Sequence, residues 1–162
     1  MKSVLYIHLF CIFAAIMENE KMKIYIGSDH AGVELKTLVK EHFSDCFDFE
    51  DAGTFSTESV DYPDFAHVVA KNVLNDSHSL GILICGTGNG MAITANKHAG
   101  IRAALCWAPE IAALAKKHNN ANIIVLPARF IETEAAFATL QSFFDATFEG
   151  GRHQRRIDKI NI

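Results

Sequence analysis

The sequence has little proline, no paired-cysteine motif, no strong charge of either sign and no apolar run long enough to cross a bilayer. Three prolines in 162 residues, with 49% hydrophobic and 21% charged residues, exclude a fibrous or disordered chain and leave a compact globular one. A chain of this length supports one well-formed core and is short for two, so one domain is expected. The formal net charge of −4 offers no global footprint for nucleic acid. Cys11, Cys46, Cys85 and Cys106 form no C-x-x-C pair and no metal-ligand spacing, which favours neither a zinc site nor a disulfide framework and fits a reducing compartment. Internal repeats and low-complexity linkers are absent. The dinucleotide fingerprint is also missing, because "SDHAG" stands where G-x-G-x-x-G would follow the first strand.

The first residues, "MKSVLYIHLFCIFAAIM", place a lysine before an apolar stretch, as secretory signals do. The stretch is too short to span a bilayer and lacks a clear small-x-small cleavage site. Residues 1–21 are therefore read as an apolar extension or a misassigned start, with Met22 opening a single domain over 22–162. An extracellular location is the rival.

From Lys23 onward, short apolar runs alternate with segments of helical period. Strands are expected over 23–28, 46–51, 80–85, 101–106 and 122–127, and helices over 31–43, 61–74, 90–99, 108–118 and 132–148. Pro63 suits a first helical turn. Five strands joined through helices imply α/β class, a three-layer α/β/α sandwich around a five-stranded parallel Rossmann-like sheet. The chain closes on a basic tail, "EGGRHQRRIDKINI". In open sheets of this kind ligands bind beyond the carboxyl ends of the strands, so the loops after each strand hold the first candidates.

"GTGNG" at 86–90 offers glycines at a strand-to-helix turn, where backbone N–H groups can cradle an anion; a tight turn without a ligand is the alternative. Cys85 precedes it, placed where those N–H groups could lower a thiol pKa from about 8.5 and make a base or nucleophile. A buried structural cysteine explains the same spacing, and Cys106 ends a strand in the same way. Asp29 and His30 suit proton transfer or hydroxyl binding, with a helix N-cap at Asp29 as the rival. His118 and Asn119 end a helix, where they could complement its dipole and cap it. Arg152 and Arg156 would share a helix face and could grip a phosphate, unless the tail is simply solvated. Its aromatic interleaving is nil, which disfavours nucleic acid.

Taken in order, "GSDHAG", "DYPDFA", "GILICGTGNGMAITANK", "GIRAAL", "KKHNNANI" and "EGGRHQRR" closely resemble the ribose 5-phosphate isomerase B family over residues 22–157. Galactose 6-phosphate and allose phosphate isomerases are similar to the same family. The resemblance implies interconversion of an aldose phosphate and its ketose through an enediolate, with no metal or organic cofactor. It implies a cytoplasmic homodimer or homotetramer with active sites shared between subunits, a sugar phosphate as the small-molecule partner, and no nucleic acid or membrane.

The resemblance also assigns residues. Cys85 matches the base that moves a proton between C2 and C1; relatives without it use a glutamate after the glycine turn, where this chain has Met91. The backbone at Gly86, Thr87, Gly88, Asn89 and Gly90 would hold the enediolate, with the Thr87 hydroxyl assisting. His118 matches the residue that opens the furanose ring. Asp29, Tyr62 and Asn119 would bind sugar hydroxyls, and His30, Arg129, Arg152 and Arg156 the phosphate. Arg155 has no assigned role. Two other readings stay open: a nucleotide-binding α/β module, and a subunit that needs a different partner for activity.

Overall fold

The computed structural model describes residues 21–160. The apolar extension over 1–21 therefore lies, apart from Lys21, outside the described residues. Five strands, β1 (Met22–Ser28), β2 (Phe47–Asp51), β3 (Leu80–Cys85), β4 (Ala103–Leu105) and β5 (Ile123–Pro127), form one parallel sheet in the order β2-β1-β3-β5-β4. The helices are α1 (Val33–His42), α2 (Tyr62–Asn75), α3 (Asn89–Ala95), α4 (Pro109–Asn119), α5 (Thr133–Asp145) and α6 (Arg152–Ile157).

Burial follows from the apolar pattern. All six residues of β3 are buried, as a central parallel strand covered on both faces requires. One core joins β-sheet residues Ile24, Ile26, Ile82, Ile84 and Ile124 to Val39 of α1, Ala112 of α4 and Phe143 of α5. The opposite face packs Leu83, Cys85 and Val125 against Val69 of α2 and Met91 of α3. The three layers expected from the sequence are thus α1, α4 and α5, then the sheet, then α2 and α3.

Several boundaries differ from expectation. β4 covers three residues and not six, because the Arg102 N–H is taken by the Asn122 side chain and the Ala103 N–H by that of Asn96, which leaves little of this edge strand for the ladder. The last long helix stops at Asp145, and the chain beyond it runs back to α4, where the Glu149 N–H donates to the Lys117 carbonyl at 3.0 Å. The basic tail is not wholly a solvated segment. Part of it forms α6, anchored by buried His153 and Ile157 while Arg152, Arg155 and Arg156 stay exposed. Cys46 is disulfide-bonded, a departure from the expectation that no disulfide is favoured, while Cys85 and Cys106 are free thiols.

Candidate active site

Strand order reverses between β1 and β3, since β2 lies on one side of β1 and the later strands on the other. That switch point opens a crevice at the carboxyl ends of β1 and β3. The residues that follow those two strands are Asp29–His30 and the 86–90 turn.

Asp29 is 6% exposed, and its Oδ1 accepts the N–H groups of Ala31 and Gly32 at 3.0 and 3.1 Å. This is a local Asx turn and not the N-cap considered from sequence, because α1 begins later with Gly32 at its cap. The Asp29 carboxylate acts on the Cys85 thiol from one side, and the backbone N–H groups of Gly88 and Thr87 act on it from the other. The thiol pKa is nevertheless raised: burial contributes most and the Asp29 carboxylate adds to it, together outweighing the two backbone donors. The expectation of a thiol pKa lowered by the turn is corrected accordingly. Cys106, the other free thiol among the described residues, is fully buried and pushed up to about 12 by burial, which makes it an inert core residue.

The 86–90 turn needs its glycines. Gly88 has φ +77°, and a Cβ there would lie 2.3 Å from Leu105; a Cβ on Gly90 would lie 2.5 Å from the Tyr62 ring. Tyr62 thus packs directly over the turn, brought there by the loop between β2 and α2. His30 holds the same loop, its Nδ1 accepting the Val60 N–H at 3.4 Å. Arg129 crosses the turn from β5: its N–H donates to the Gly86 carbonyl at 3.0 Å and its side chain runs beside Gly86. Asp29, His30, Tyr62, Cys85, residues 86–90 and Arg129 therefore form one cluster with a buried thiol and an exposed guanidinium at its rim.

His118, Asn119, Arg152 and Arg156 are not part of it. Helix α4 starts after the carboxyl end of β4 and finishes just before the amino end of β5, so His118 lies at the opposite edge of the sheet. The helix is 11 residues long, which separates the two ends by about 16 Å. His118 also sits in the α1/α4/α5 layer, whereas Cys85 faces α2 and α3. At that far edge His118 stacks on His153, ring centroids 4.2 Å apart and planes 5° from parallel, with Glu149 Oε2 3.7 Å from the Nε2 of each. Asn120, with φ 45°, caps α4, so Asn119 does not serve as the cap.

The His118, Glu149 and His153 ligand atoms lie within 4.8 Å of one another. Parallel stacked rings direct their nitrogen lone pairs side by side and not toward one point, so the arrangement suits stacking better than a shared metal ion. Sequence reasoning missed two parts of this molecule. Glu149 was one, although its i,i+4 spacing to His153 was a usable signal. Lys36 was the other: 2% exposed, it donates to Asp51 Oδ1 at 2.6 Å and to the Thr54 carbonyl at 2.7 Å, tying α1 to the base of the loop that carries Tyr62.

The pattern of the Ribose/Galactose Isomerase family matches residues 24–160. The chain belongs to that family. Among its relatives, the ribose-5-phosphate isomerase B of Escherichia coli (strain K12) is 42% identical over 139 residues, covering 85% of this chain and 93% of that protein. The crystal structure of a ribose 5-phosphate isomerase from Thermotoga maritima superposes with a TM-score of 0.84 at 53% identity, covering 86% of this chain and 97% of that one. The Mycoplasma genitalium ribose-5-phosphate isomerase B with bound ribulose-5-phosphate gives a TM-score of 0.83 at 46% identity, covering 88% and 95%. Family membership, the parallel sheet and the crevice at the switch point agree.

The resting contacts of Cys85 carry a prediction. Asp29→Asn removes an anion that raises the thiol pKa, so alkylation of Cys85 by iodoacetamide at pH 7 is expected to speed up several-fold while isomerase turnover falls. Mass-spectrometric rates of adduct formation at Cys85 measure the first effect. A slower or unchanged rate would mean that Asp29 does not govern the thiol.

Proposed function

We propose that this chain is a ribose-5-phosphate isomerase that interconverts ribose 5-phosphate and ribulose 5-phosphate through an enediolate, with Cys85 as the base. The observation that carries the reading is the buried Cys85 thiol between the Asp29 carboxylate and the N–H groups of Thr87 and Gly88. Once the proton leaves toward Asp29, the two backbone donors hold the thiolate. The thiolate takes the C2 proton of the open-chain aldose and returns it to C1, while a proton passes from O2 to O1. The N–H groups and Thr87 hydroxyl of the 86–90 turn stabilise charge as it develops on oxygen, which fixed donors do without reorganising. Asp29 and Tyr62 contact sugar hydroxyls, and His30 and Arg129 reach the phosphate.

The remaining functions are supplied by a second copy of the chain. His118, which opens the ring, Asn119, and the phosphate-binding Arg152 and Arg156 lie at the far edge of the sheet and cannot close on the Cys85 of their own chain. A two-fold dimer brings the far edge of one protomer to the crevice of its partner. Apolar side chains around the crevice support this: Phe55, Trp107 and Phe130 are 76%, 55% and 72% exposed. In this reading residues 22–162 form one catalytic domain, a homodimer or a pair of such dimers. A cytoplasmic setting belongs to the same proposal, since charged sugar phosphates are retained there. No helix among the described residues is long and apolar enough to cross a membrane.

The test is conversion of ribose 5-phosphate by the purified chain in buffer containing a chelator, beside galactose 6-phosphate and allose 6-phosphate. Preferred turnover of the pentose is expected. Turnover of a hexose phosphate alone would change the substrate and keep the chemistry, and inactivity on all three would contradict the proposal.

A further inference from the structure

The stacked pair at the end of α4 holds more than a ring-opening histidine needs. His153 is 6% exposed, and its ring lies flat against that of His118. The Nε–H of Arg152 donates to His153 Nε2 at 3.4 Å, and arginine is only ever a donor, so His153 carries its own proton on Nδ1. The pKa of His153 is lowered, by burial first and then by His118 and Arg152, with Glu149 opposing the shift. Glu149 Oε2 spans the Nε2 atoms of both rings at 3.7 Å. Its place is fixed by the backbone: Glu149 N–H donates to Lys117 in the last turn of α4. Gly150 and Gly151, both at positive φ, then turn the chain so that residue 153 returns to the same side. A solvated tail would need none of this.

We propose that His153 and Glu149 are positioning residues that fix the His118 ring for sugar ring opening, His153 as a flat stacking platform and Glu149 as the carboxylate that orients the His118 Nε2. This rests on the reading of His118 as the ring-opening group. In that step the C1–O4 bond of the furanose breaks, O4 gains a proton and the O1 hydroxyl loses one, so no further reactant is required. A loosely held imidazole would lose the alignment that makes the step fast.

The experiment separates ring opening from the proton transfer at C2 and C1. Ribulose 5-phosphate has no furanose form, because its O5 carries the phosphate. Exchange of its C1 hydrogen in deuterium oxide thus needs Cys85 but no ring opening. Glu149→Gln and His153→Ala are each expected to lower kcat on ribose 5-phosphate about ten- to a hundredfold with KM little changed, and to leave C1 exchange at saturating ribulose 5-phosphate near the parent rate. His153→Phe, which keeps the flat partner, is expected to recover most of the loss. Unchanged kcat in Glu149→Gln and His153→Ala would overturn the proposal, as would a loss of exchange equal to the loss of conversion. His118→Asn separates the two failures. If it blocks conversion and spares exchange while the other variants behave as the parent, only the positioning roles fail; if it leaves conversion intact, the reading of His118 itself fails.

Discussion

Cys85→Ala is expected to lower turnover of ribose 5-phosphate by about a hundred- to ten-thousandfold, the range by which a positioned general base accelerates proton transfer. No equivalent group stands in for it. Met91, at the place where some relatives carry a glutamate, is fully buried in the core and has no proton acceptor. Asp29 is adjacent, yet its Oδ1 is bound to the N–H groups of Ala31 and Gly32, which hold it against the turn. The fold survives the change, since the lost sulfur leaves a small cavity costing about 1–2 kcal/mol. Cys106→Ala is the control, expected to keep full activity because that thiol is buried and held protonated. Rates by absorbance of the ketose product, beside thermal unfolding of each variant, check the prediction. A Cys85→Ala protein retaining more than about a tenth of parent turnover would remove Cys85 as the base.

Much of the architecture was legible because its causes are local. The apolar run 80–85 reads as a strand, and Pro63 marks a helix start that the structure places in the first turn of α2. The crevice residues were legible for a related reason: Cys85 ends an apolar strand, Asp29 and the glycine turn directly follow such strands, and α/β sheets bind ligands there. β4 was overread because "IRAALC" is apolar throughout, while what limits the strand is side-chain bonding from Asn96 and Asn122 across the edge. Helix α6 is suggested by the shared face of Arg152 and Arg156, but its anchoring through buried His153 and Ile157 is not evident in so charged a run.

Other features needed three dimensions. Lys36 sits on an amphipathic helix where a lysine reads as solvent-facing, and the Asp51 carboxylate together with the Thr54 carbonyl makes its burial tolerable. The direction of the Cys85 shift depended on burial and on Asp29, neither of which spacing reveals. The separation of His118 from Cys85 is implicit in the sequence, since a residue ending a helix just before a strand must lie at the amino edge of a parallel sheet.

That separation leads to the second large effect. If each active site joins the Cys85 crevice of one protomer to the His118 edge of its partner, Cys85→Ala and His118→Asn chains are each nearly inactive alone on ribose 5-phosphate. In a mixed dimer one site contains both substitutions and the other contains neither. Random reassociation makes half the dimers mixed, and each has one intact site of two, so activity should rise to about a quarter of the parent value. No contact within a single chain produces this recovery, because two damaged chains acting separately remain damaged.

The mixing experiment is therefore the most direct test of a sugar phosphate isomerase whose site is divided between two copies. The two variants are unfolded together, refolded, and assayed on ribose 5-phosphate beside each variant refolded alone. Recovery toward a quarter of parent activity is the predicted result. A mixture no more active than the sum of its parts, from chains shown to form mixed dimers, would contradict the account and require Cys85 and His118 to act within one chain or not together at all.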